Sequence, residues 1–246
     1  MPKVRLDVLL VRKGFAETIE KAQKMIQSGQ VYDNTKKLDK AGTAINAQHP
    51  IHIKKNKKQW VSRGGTKLQF ALETAHIDVT DKICLDIGTN VGGFTDVLLA
   101  KNARKVYAID TDYGRIDWRL RQNAKVILIE RFNARYVTQK QITEPLDLIV
   151  CDASFIRLST ILPAAMRLAS ARATLCALIK PQFEAAKKDV TPQGYLKNPA
   201  LYAQIVKKTV QWMNQQKPWQ TLITLESPVR LPHGNKEYFI IAQKMS

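Results

Sequence analysis

The sequence predicts a large, doubly wound α/β domain preceded by a small α+β domain. Beyond residue 80, short apolar segments alternate with amphipathic ones, the order expected of a mostly parallel sheet covered by helices on both faces. Residues 1–60 lack this alternation and are more basic, with 13 Lys and Arg against 5 Asp and Glu, compared with 26 against 16 in residues 61–246. A chain of 246 residues can bury one medium core and a smaller second one, so two domains are expected.

The N-terminal domain is predicted to contain two short helices and short strands. Leucines at helical spacing followed by a glycine predict the first helix, and a threonine cap predicts the second. Alternating apolar residues around a turn predict the strands. The residues concerned are Leu6, Leu9, Leu10 and Gly14, then Thr18, Ala22, Met25, Ile26 and Ser28-Gly29, and finally Val31-Tyr32, Asp33-Asn34 and Ile51-His52-Ile53.

The net charge of +18 favours a polyanionic partner, because such an excess repels itself in isolation. Since the charge is densest in the first quarter of the chain, we expect that domain to anchor RNA phosphates. A basic face that is merely solvated is the alternative. The predicted RNA-binding residues are Arg5, Arg12, Lys13, Lys21, Lys24, Lys54, Lys55, Lys57, Lys58 and Arg63.

The domain boundary is predicted just after the basic run that ends at Lys58. We assign residues 1–58 to the RNA-binding domain, 59–66 to a linker and 67–246 to the second domain. Gly64-Gly65 permits backbone conformations that other residues avoid, so the linker could pivot the domains or approach a ligand closely.

The second domain is predicted to hold five parallel strands, four helices and a C-terminal hairpin. The hairpin ends the sheet and contributes an antiparallel last strand. The predicted strands are Ile83–Ile87, Lys105–Ile109, Val126–Ile129, Leu146–Cys151 and Ala173–Ile179, and the helices are Phe94–Lys101, Gly114–Arg121, Leu158–Leu168 and Ala200–Met213. The hairpin strands are Thr221–Leu225 and Tyr238–Ala242, with a turn at His233-Gly234-Asn235.

Composition excludes several classes of protein. The longest apolar runs end well short of the ~18 residues that cross a bilayer, and charges interrupt the start of the chain where a secretory signal is apolar. Three cysteines in apolar runs indicate reduced, buried thiols, and four scattered histidines give no zinc-binding spacing. We therefore expect a cytoplasmic protein without a metal, a membrane or an obligate protein partner.

A glycine-rich loop after the first strand of the large domain predicts a nucleoside cofactor. The loop reads Gly88-Thr89-Asn90-Val91-Gly92-Gly93, and ligands bind at this edge of a doubly wound sheet. Because Asn90 replaces the second glycine of a dinucleotide fingerprint, a dehydrogenase is disfavoured. The spacing suits S-adenosylmethionine, which has no pyrophosphate. Asp110, 22 residues after Gly88, can accept both ribose hydroxyls of such a cofactor.

Over essentially its whole length the chain resembles the TlyA family, in which an S4-type RNA-binding domain precedes an FtsJ-like methyltransferase domain with a Rossmann-like sheet. The segments that carry the resemblance are Arg5-Leu6-Asp7-Val8-Leu9-Leu10, Val61-Ser62-Arg63-Gly64-Gly65-Thr66-Lys67-Leu68, Gly92-Gly93-Phe94-Thr95-Asp96, Asn133-Ala134-Arg135-Tyr136, Asp152-Ala153-Ser154-Phe155-Ile156, Lys180-Pro181-Gln182-Phe183-Glu184 and Gly234-Asn235-Lys236-Glu237-Tyr238.

The resemblance implies 2′-O-methylation of ribosomal RNA, alone or in ribosomal subunits, with S-adenosylmethionine as the methyl donor. It implies a catalytic tetrad at Lys67, Asp152, Lys180 and Glu237. The cofactor-binding residues expected with it are Asp86, Gly88, Thr89, Gly92, Gly93, Phe94, Asp110 and Asn133. The chain departs from the family at Thr89-Asn90-Val91, at Arg157 and at Asn34-Thr35, while all four tetrad positions are filled.

The chemistry of ribose methylation assigns a role to each tetrad residue. A ribose hydroxyl is a poor nucleophile, so the enzyme must orient it and help remove its proton. We assign the base role to Lys180 and a second cation to Lys67, with Asp152 and Glu237 orienting the two amines. Two ordinary buried ion pairs are the structural alternative.

Three other functions are possible on the sequence alone. A base methyltransferase on the same fold often has Asn/Asp-Pro-Pro-aromatic where this chain has Asp152-Ala153-Ser154-Phe155, and a carbon-5 enzyme would need Cys151 as a thiolate nucleophile. A non-catalytic RNA-binding or ribosome-assembly factor would not need intact glycine and tetrad positions. A membrane-lytic hemolysin would need a membrane-inserting segment, which the sequence does not offer.

Overall fold

A computed structural model describes residues 3–34, 36–54, 60–229 and 235–245, which fall into two compact units, Met1–Gln59 and Trp60–Ser246. The predicted RNA-binding residues Lys55, Lys57 and Lys58 and most of the predicted turn at His233-Gly234-Asn235 lie outside the described residues.

The first unit is a small α+β fold. Strands β1 (Lys3–Arg5) and β4 (Ala44–Asn46) form an antiparallel pair, and β2 (Val31–Asp33) lies between β3 (Lys36–Lys37) and β5 (His52–Ile53) in a second antiparallel sheet. Its core contains both helices, with Leu6, Leu10 and Ile26 fully buried. The helices are α1 (Leu6–Arg12) and α2 (Ile19–Gln27).

A buried carboxylate joins the two helices of this unit. Asp7 is fully buried, and its carboxylate accepts hydrogen bonds from the Arg5 guanidinium at 2.7 and 3.1 Å and from Gln23 at 3.0 Å. The Arg5 hydrogen bonds hold the pKa of Asp7 well below its usual range, against the effect of burial. Arg5 therefore has a structural role in addition to any contact with RNA.

The second unit is built around a seven-stranded sheet. Its helices are α3 (Arg63–Thr74), α4 (Gly93–Ala100), α5 (Trp118–Arg121), α6 (Leu158–Arg167), α7 (Pro181–Glu184) and α8 (Leu201–Gln215), with short 3₁₀ turns at Ala134–Tyr136 and Lys187–Asp189. Its strands are β6 (Ile83–Ile87), β7 (Lys105–Ile109), β8 (Val126–Ile129), β9 (Leu146–Cys151), β10 (Ala169–Ile179), β11 (Trp219–Glu226) and β12 (Tyr238–Lys244).

The strand order is β11-β12-β10-β9-β6-β7-β8, and β12 runs antiparallel to both of its neighbours while the other pairs are parallel. Helices α6 and α8 contribute to the core on one face, and α3 and α4 to the core on the other. The predicted doubly wound sheet with an antiparallel last strand is confirmed. The order in which the strands are added changes side between β6 and β9: β7 and β8 follow β6 on one side, and β9 lies on the other. Folds of this type bind ligands at such a switch point.

Two local predictions differ from the structure. The helix predicted over Gly114–Arg121 begins only at Trp118, because Gly114 has φ of +76° and Asp117 caps the helix through the Arg119 N–H. Residues 60–66 of the predicted linker 59–66 belong to the second unit: Trp60 is buried, and helix α3 begins at Arg63.

Strand register brings the candidate site together. Ile87 at the end of β6 pairs with Cys151 at the end of β9, and Cys151 pairs with Ala177 of β10. Ile179 of β10 pairs with Tyr238, the first residue of β12. The residues just beyond these strand ends therefore share one edge of the sheet.

Candidate active site

Four charged side chains form an alternating row at this edge of the sheet. Lys67 Nζ lies 2.6 Å from Glu237 Oε2 and 3.9 Å from Asp152 Oδ2, and Lys180 Nζ lies 2.6 Å from Asp152 Oδ1. Glu237 is only 2% exposed, and both lysines are buried. Because signs alternate and formal charges cancel, each buried group has a partner, and removing one would leave an uncompensated charge.

Lys180 is held by two hydrogen bonds and one ion pair. Besides its ion pair with the Asp152 carboxylate, its amine donates to the Asp152 carbonyl at 3.1 Å and to Ser154 Oγ at 2.8 Å. An ammonium group has three N–H donors, and these hydrogen bonds use two of them. The Lys180 side chain is thereby fixed beside the first residues of the loop that follows β9.

Lys67 reaches the row because α3 packs closely on α4. A Cβ added at Gly93 would lie 2.1 Å from Ser62 Oγ and 2.9 Å from the Gly65 backbone nitrogen, and one at Gly65 would lie 2.4 Å from the Trp60 side chain. Only glycine permits such close approach, so Gly93 sets the distance between the two helices and Gly65 lets the Trp60 side chain pack against α3. Two residues beyond Gly65, Lys67 then faces the sheet edge.

A buried carboxyl supports the glycine-rich loop. Asp86 is fully buried at the end of β6; its carboxyl accepts the Thr95 hydroxyl at 2.7 Å, and its main-chain carbonyl accepts the Thr89 hydroxyl at 3.2 Å. Burial raises the pKa of Asp86 to about 7, and the nearby charge of Asp152 acts in the same direction. Asp86 therefore connects β6 to α4 from beneath the loop.

Two clefts open at this edge. The larger, about 690 Å³, runs along the ends of β6, β7 and β9 and is lined by Asp110, Asn133 and Phe132 among others. The smaller, about 260 Å³, contains Lys67, Lys180 and Arg63. Both are lined by Gly88, Asn90, Asp152 and Ser154, so they meet beside the charged row.

The predicted cofactor-binding residues divide between these clefts. Gly88, Asp110 and Asn133 line the larger one, and Gly88, Thr89, Gly93 and Phe94 line the smaller one. Asp86 and Gly92 line neither. Gly92 has φ of +102°, and a Cβ there would lie 2.3 Å from Leu120, so this glycine serves the turn and its packing.

Asp110 is oriented by the backbone around it. Its carboxylate accepts the Asn90 N–H at 2.6 Å and the Asp112 N–H at 2.9 Å. Each oxygen keeps a free lone pair for a further donor.

The glycine-rich loop lies close to the loop that follows β9. The Gly88 backbone has φ of +81°, and a Cβ there would meet the Ala153 backbone at 3.1 Å.

The predicted RNA-binding residues that the structure describes are all exposed. Those in the first unit are Arg5, Arg12, Lys13, Lys21, Lys24 and Lys54. Lys54 lies over the Tyr32 ring at 4.2 Å, Lys21 pairs with Glu17, and Lys13 donates to the His49 carbonyl at 2.7 Å. Arg63 lies in the second unit, at the first turn of α3.

Sequence reasoning missed a set of exposed aromatic residues around the clefts. Phe155 is 89% exposed and Tyr113 and Tyr136 are more than half exposed, with Arg131 over the Tyr113 ring and Arg135 over the Tyr136 ring, both at 4.4 Å. Arginine-backed aromatic rings can stack on unpaired bases. Two family-like segments contained Phe155 and Tyr136, but their exposure depends on the fold.

Other chemistries find little support among the described residues. All three cysteines are free and buried, and burial raises the pKa of Cys151 to about 12. No three His, Cys, Asp or Glu side chains in the described ranges are grouped so as to hold a metal ion. In the same ranges, no helix is both long and apolar enough to span a membrane.

The fold and site define a class. A doubly wound sheet with an antiparallel last strand, a glycine loop after its first strand and a buried Lys-Asp-Lys-Glu row together indicate a methyltransferase. Comparison with known families agrees: residues 60–244 match the FtsJ-like methyltransferase family, and residues 4–50 match the S4 domain.

The chain belongs to the FtsJ-like methyltransferase family, in the group that pairs this domain with an S4 domain. It is 39% identical over 239 residues to the 16S/23S rRNA (cytidine-2′-O)-methyltransferase TlyA of Mycobacterium tuberculosis, covering 97% of this chain and 89% of that protein. It is 35% identical to Hemolysin A of Brachyspira hyodysenteriae, covering 96% and 98%. A solved structure from Streptococcus thermophilus, labelled a hemolysin, is 33% identical with a TM-score of 0.73 and covers 100% of this chain and 90% of its own.

Proposed function

We propose that this chain transfers the methyl group of S-adenosylmethionine to a ribose 2′-hydroxyl of ribosomal RNA. One observation carries the proposal: the buried row of alternating charges lies where two clefts meet, one suited to a nucleoside cofactor and the other to a small polar acceptor. The similarity to TlyA supports ribosomal RNA as the substrate.

The larger cleft fits the cofactor. Asp110 has spare acceptor capacity for ribose hydroxyls, Phe132 and Ile156 give apolar walls for a base, and Gly88 lies against the Ala153 backbone with no side chain of its own in the cleft. When bound, S-adenosylmethionine supplies an electrophilic methyl group. The residues that both clefts share, Asp152 and Ser154 among them, are then the ones nearest to the acceptor.

The charged row would orient the hydroxyl and take its proton. An ammonium group has no lone pair, so Lys180 can accept the hydroxyl proton only after passing one of its own to Asp152 Oδ1, 2.6 Å away. We therefore assign the base role to the Lys180–Asp152 pair. Lys67 pairs with Glu237 and also faces Asp152, so its positive charge offsets the repulsion between the two carboxylates.

RNA contacts would come from both units. The exposed basic residues of the first unit supply phosphate contacts without sequence preference. In the second unit, Arg63 lines the acceptor cleft, and the exposed Phe155 lies beside the cofactor cleft, where an unstacked base could rest on its ring.

Methylation of a base is the nearest competing reaction. A carbon-5 enzyme would need a thiolate, yet Cys151 is buried in the sheet with its pKa raised to about 12. Its side chain belongs to the apolar core rather than to either cleft. The thiol is therefore unsuited to attack on a base.

Transfer of a labelled methyl group from S-adenosylmethionine to ribosomal RNA tests the proposal. Free RNA, isolated subunits and assembly intermediates should be assayed separately, because the substrate form is part of the question. Wild-type protein should label at least one of them, Lys180→Ala should not, and Cys151→Ala should match the wild type. Wild-type protein that binds every form and labels none would favour a non-catalytic assembly factor.

A further inference from the structure

The two loops that carry Asp152 and Lys180, the residues assigned the general-base role, also contact each other at residues farther along both loops. One runs from Asp152 to the start of α6, and the other runs from Lys180 through α7. In addition to the contacts of Lys180 with Asp152 and Ser154, the Phe155 and Phe183 rings, one from each loop, pack with centroids 4.7 Å apart. Next, Glu184 Oε1 accepts the Leu158 N–H at 2.7 Å.

Glu184 acts as the cap of α6 from another element. The N-cap residue of α6, Arg157, makes no side-chain capping hydrogen bond, and Leu158 is the first residue of the helix. Free N–H groups at a helix start require acceptors, and a carboxylate there is favoured by the helix dipole. Burial raises the pKa of Glu184, which the Leu158 N–H and the charge of Arg157 only partly oppose.

The segment between the two anchors is strained. Phe155 has φ of +62°, a left-handed conformation that a residue with a Cβ adopts only when its surroundings impose it. Ser154 on its N-terminal side is held by Lys180, and Leu158 on its C-terminal side is held by Glu184. Three residues separate these anchors, so both are needed to define the backbone at Phe155.

We propose that Glu184 is a positioning residue for methyl transfer: by capping α6 from α7, it holds Phe155 and the Asp152 loop in register with Lys180. The inference rests on the proposed function. Glu184 needs only to present an acceptor to Leu158, so a neutral amide of the same length should replace it. That requirement separates this role from proton transfer, for which an amide is useless.

Kinetics of methyl transfer by full-length variants test the assignment. Glu184→Ala should lower kcat by about 10-fold or more, because a displacement near 1 Å in the loops misaligns the reacting groups. The Kd for S-adenosylmethionine and the KM for RNA should change far less. Glu184→Gln should stay within about threefold of wild type, since the acceptor is retained.

A matched control separates the positioning role of Glu184 from the general loss of stability that removal of a helix-start acceptor causes. Asn198 accepts the Ala200 N–H at 2.9 Å just before α8, a helix that belongs to neither loop. Asn198→Ala should lower the melting temperature about as much as Glu184→Ala and leave kcat unchanged. If Glu184→Ala does not fold, Glu184→Asp replaces it, because the shorter side chain withdraws the carboxylate from Leu158.

A double-mutant cycle with Phe155→Ala gives the decisive readout. If Glu184 acts through Phe155, Glu184→Ala should add little to the loss caused by Phe155→Ala, whereas independent effects multiply. Full additivity, or a Glu184→Ala enzyme with wild-type kcat, would overturn the inference. Absence of transfer by the wild type would instead refute the proposed function, so the two failures are distinguishable.

Discussion

Asp86 makes the stability of the second unit depend on pH in a way that one substitution should abolish. Its ordinary pKa is 3.8, and burial raises it to about 7 in the folded protein. Between these values the folded state binds a proton that the unfolded state releases, so stability falls as pH rises through this window. Over the full window the free energy of unfolding falls by about 4 kcal/mol, of which about 3 kcal/mol is lost between pH 5 and pH 8.

Asp86→Asn keeps the size of the side chain and an acceptor for the Thr95 hydroxyl, but removes the ionisation. The variant should therefore lose about 3 kcal/mol less stability than the wild type between pH 5 and pH 8. Urea unfolding at both pH values, followed by tryptophan fluorescence, measures this directly, because all four tryptophans lie in the second unit.

The same substitution at exposed Asp81 serves as a control and should leave the wild-type pH dependence in place. Identical pH dependence in Asp86→Asn and wild type would refute the reasoning. It would mean that the Asp86 carboxyl is solvated or paired well enough to stay ionised when buried.

Three further predictions follow from packing and charge. Gly93→Ala should destabilise the second unit by about 1–3 kcal/mol and reduce methyl transfer, because its methyl would overlap Ser62 and push α3 outward; urea titration and activity check both effects. Glu237→Gln should reduce kcat at least about 10-fold, since Lys67 loses its nearer charged partner, while cofactor affinity measured by calorimetry stays nearly constant; unchanged kcat would exclude a role for Glu237 in methyl transfer. Lys24→Gln should lower the slope of log affinity against log salt for RNA by about 1 or less, and an unchanged slope would exclude a phosphate contact.

The sheet could be predicted because its strands are nearly continuous apolar runs. Ile83–Ile87 and Leu146–Cys151 coincide with β6 and β9, since both strands are buried on both faces and each is bounded by a charged residue at one end and by Gly88 or Pro145 at the other. Helix α3 was missed because Gly64-Gly65 favours flexible conformations locally. Its helical form depends on packing against Trp60 and against Gly93, which is distant in sequence and is brought close only by the fold.

The candidate site was predictable only in part. The tetrad positions came from family resemblance, whereas their grouping into one alternating row depends on register between β9, β10 and β12. Exposure of Phe155 and the capping of Leu158 by Glu184 are tertiary features that no local pattern encodes. The support that Asp86 gives the loop likewise appears only when Thr95 is brought beneath it.

The position of the methyl group on the product nucleoside tests the central claim most directly. Ribosomal RNA modified by the wild-type protein should be digested to nucleosides and analysed by mass spectrometry, with Lys180→Ala as the inactive control. The account predicts that the added methyl remains with the ribose fragment and that the modified linkage resists alkaline hydrolysis. A methyl group that remains with the base fragment would contradict it.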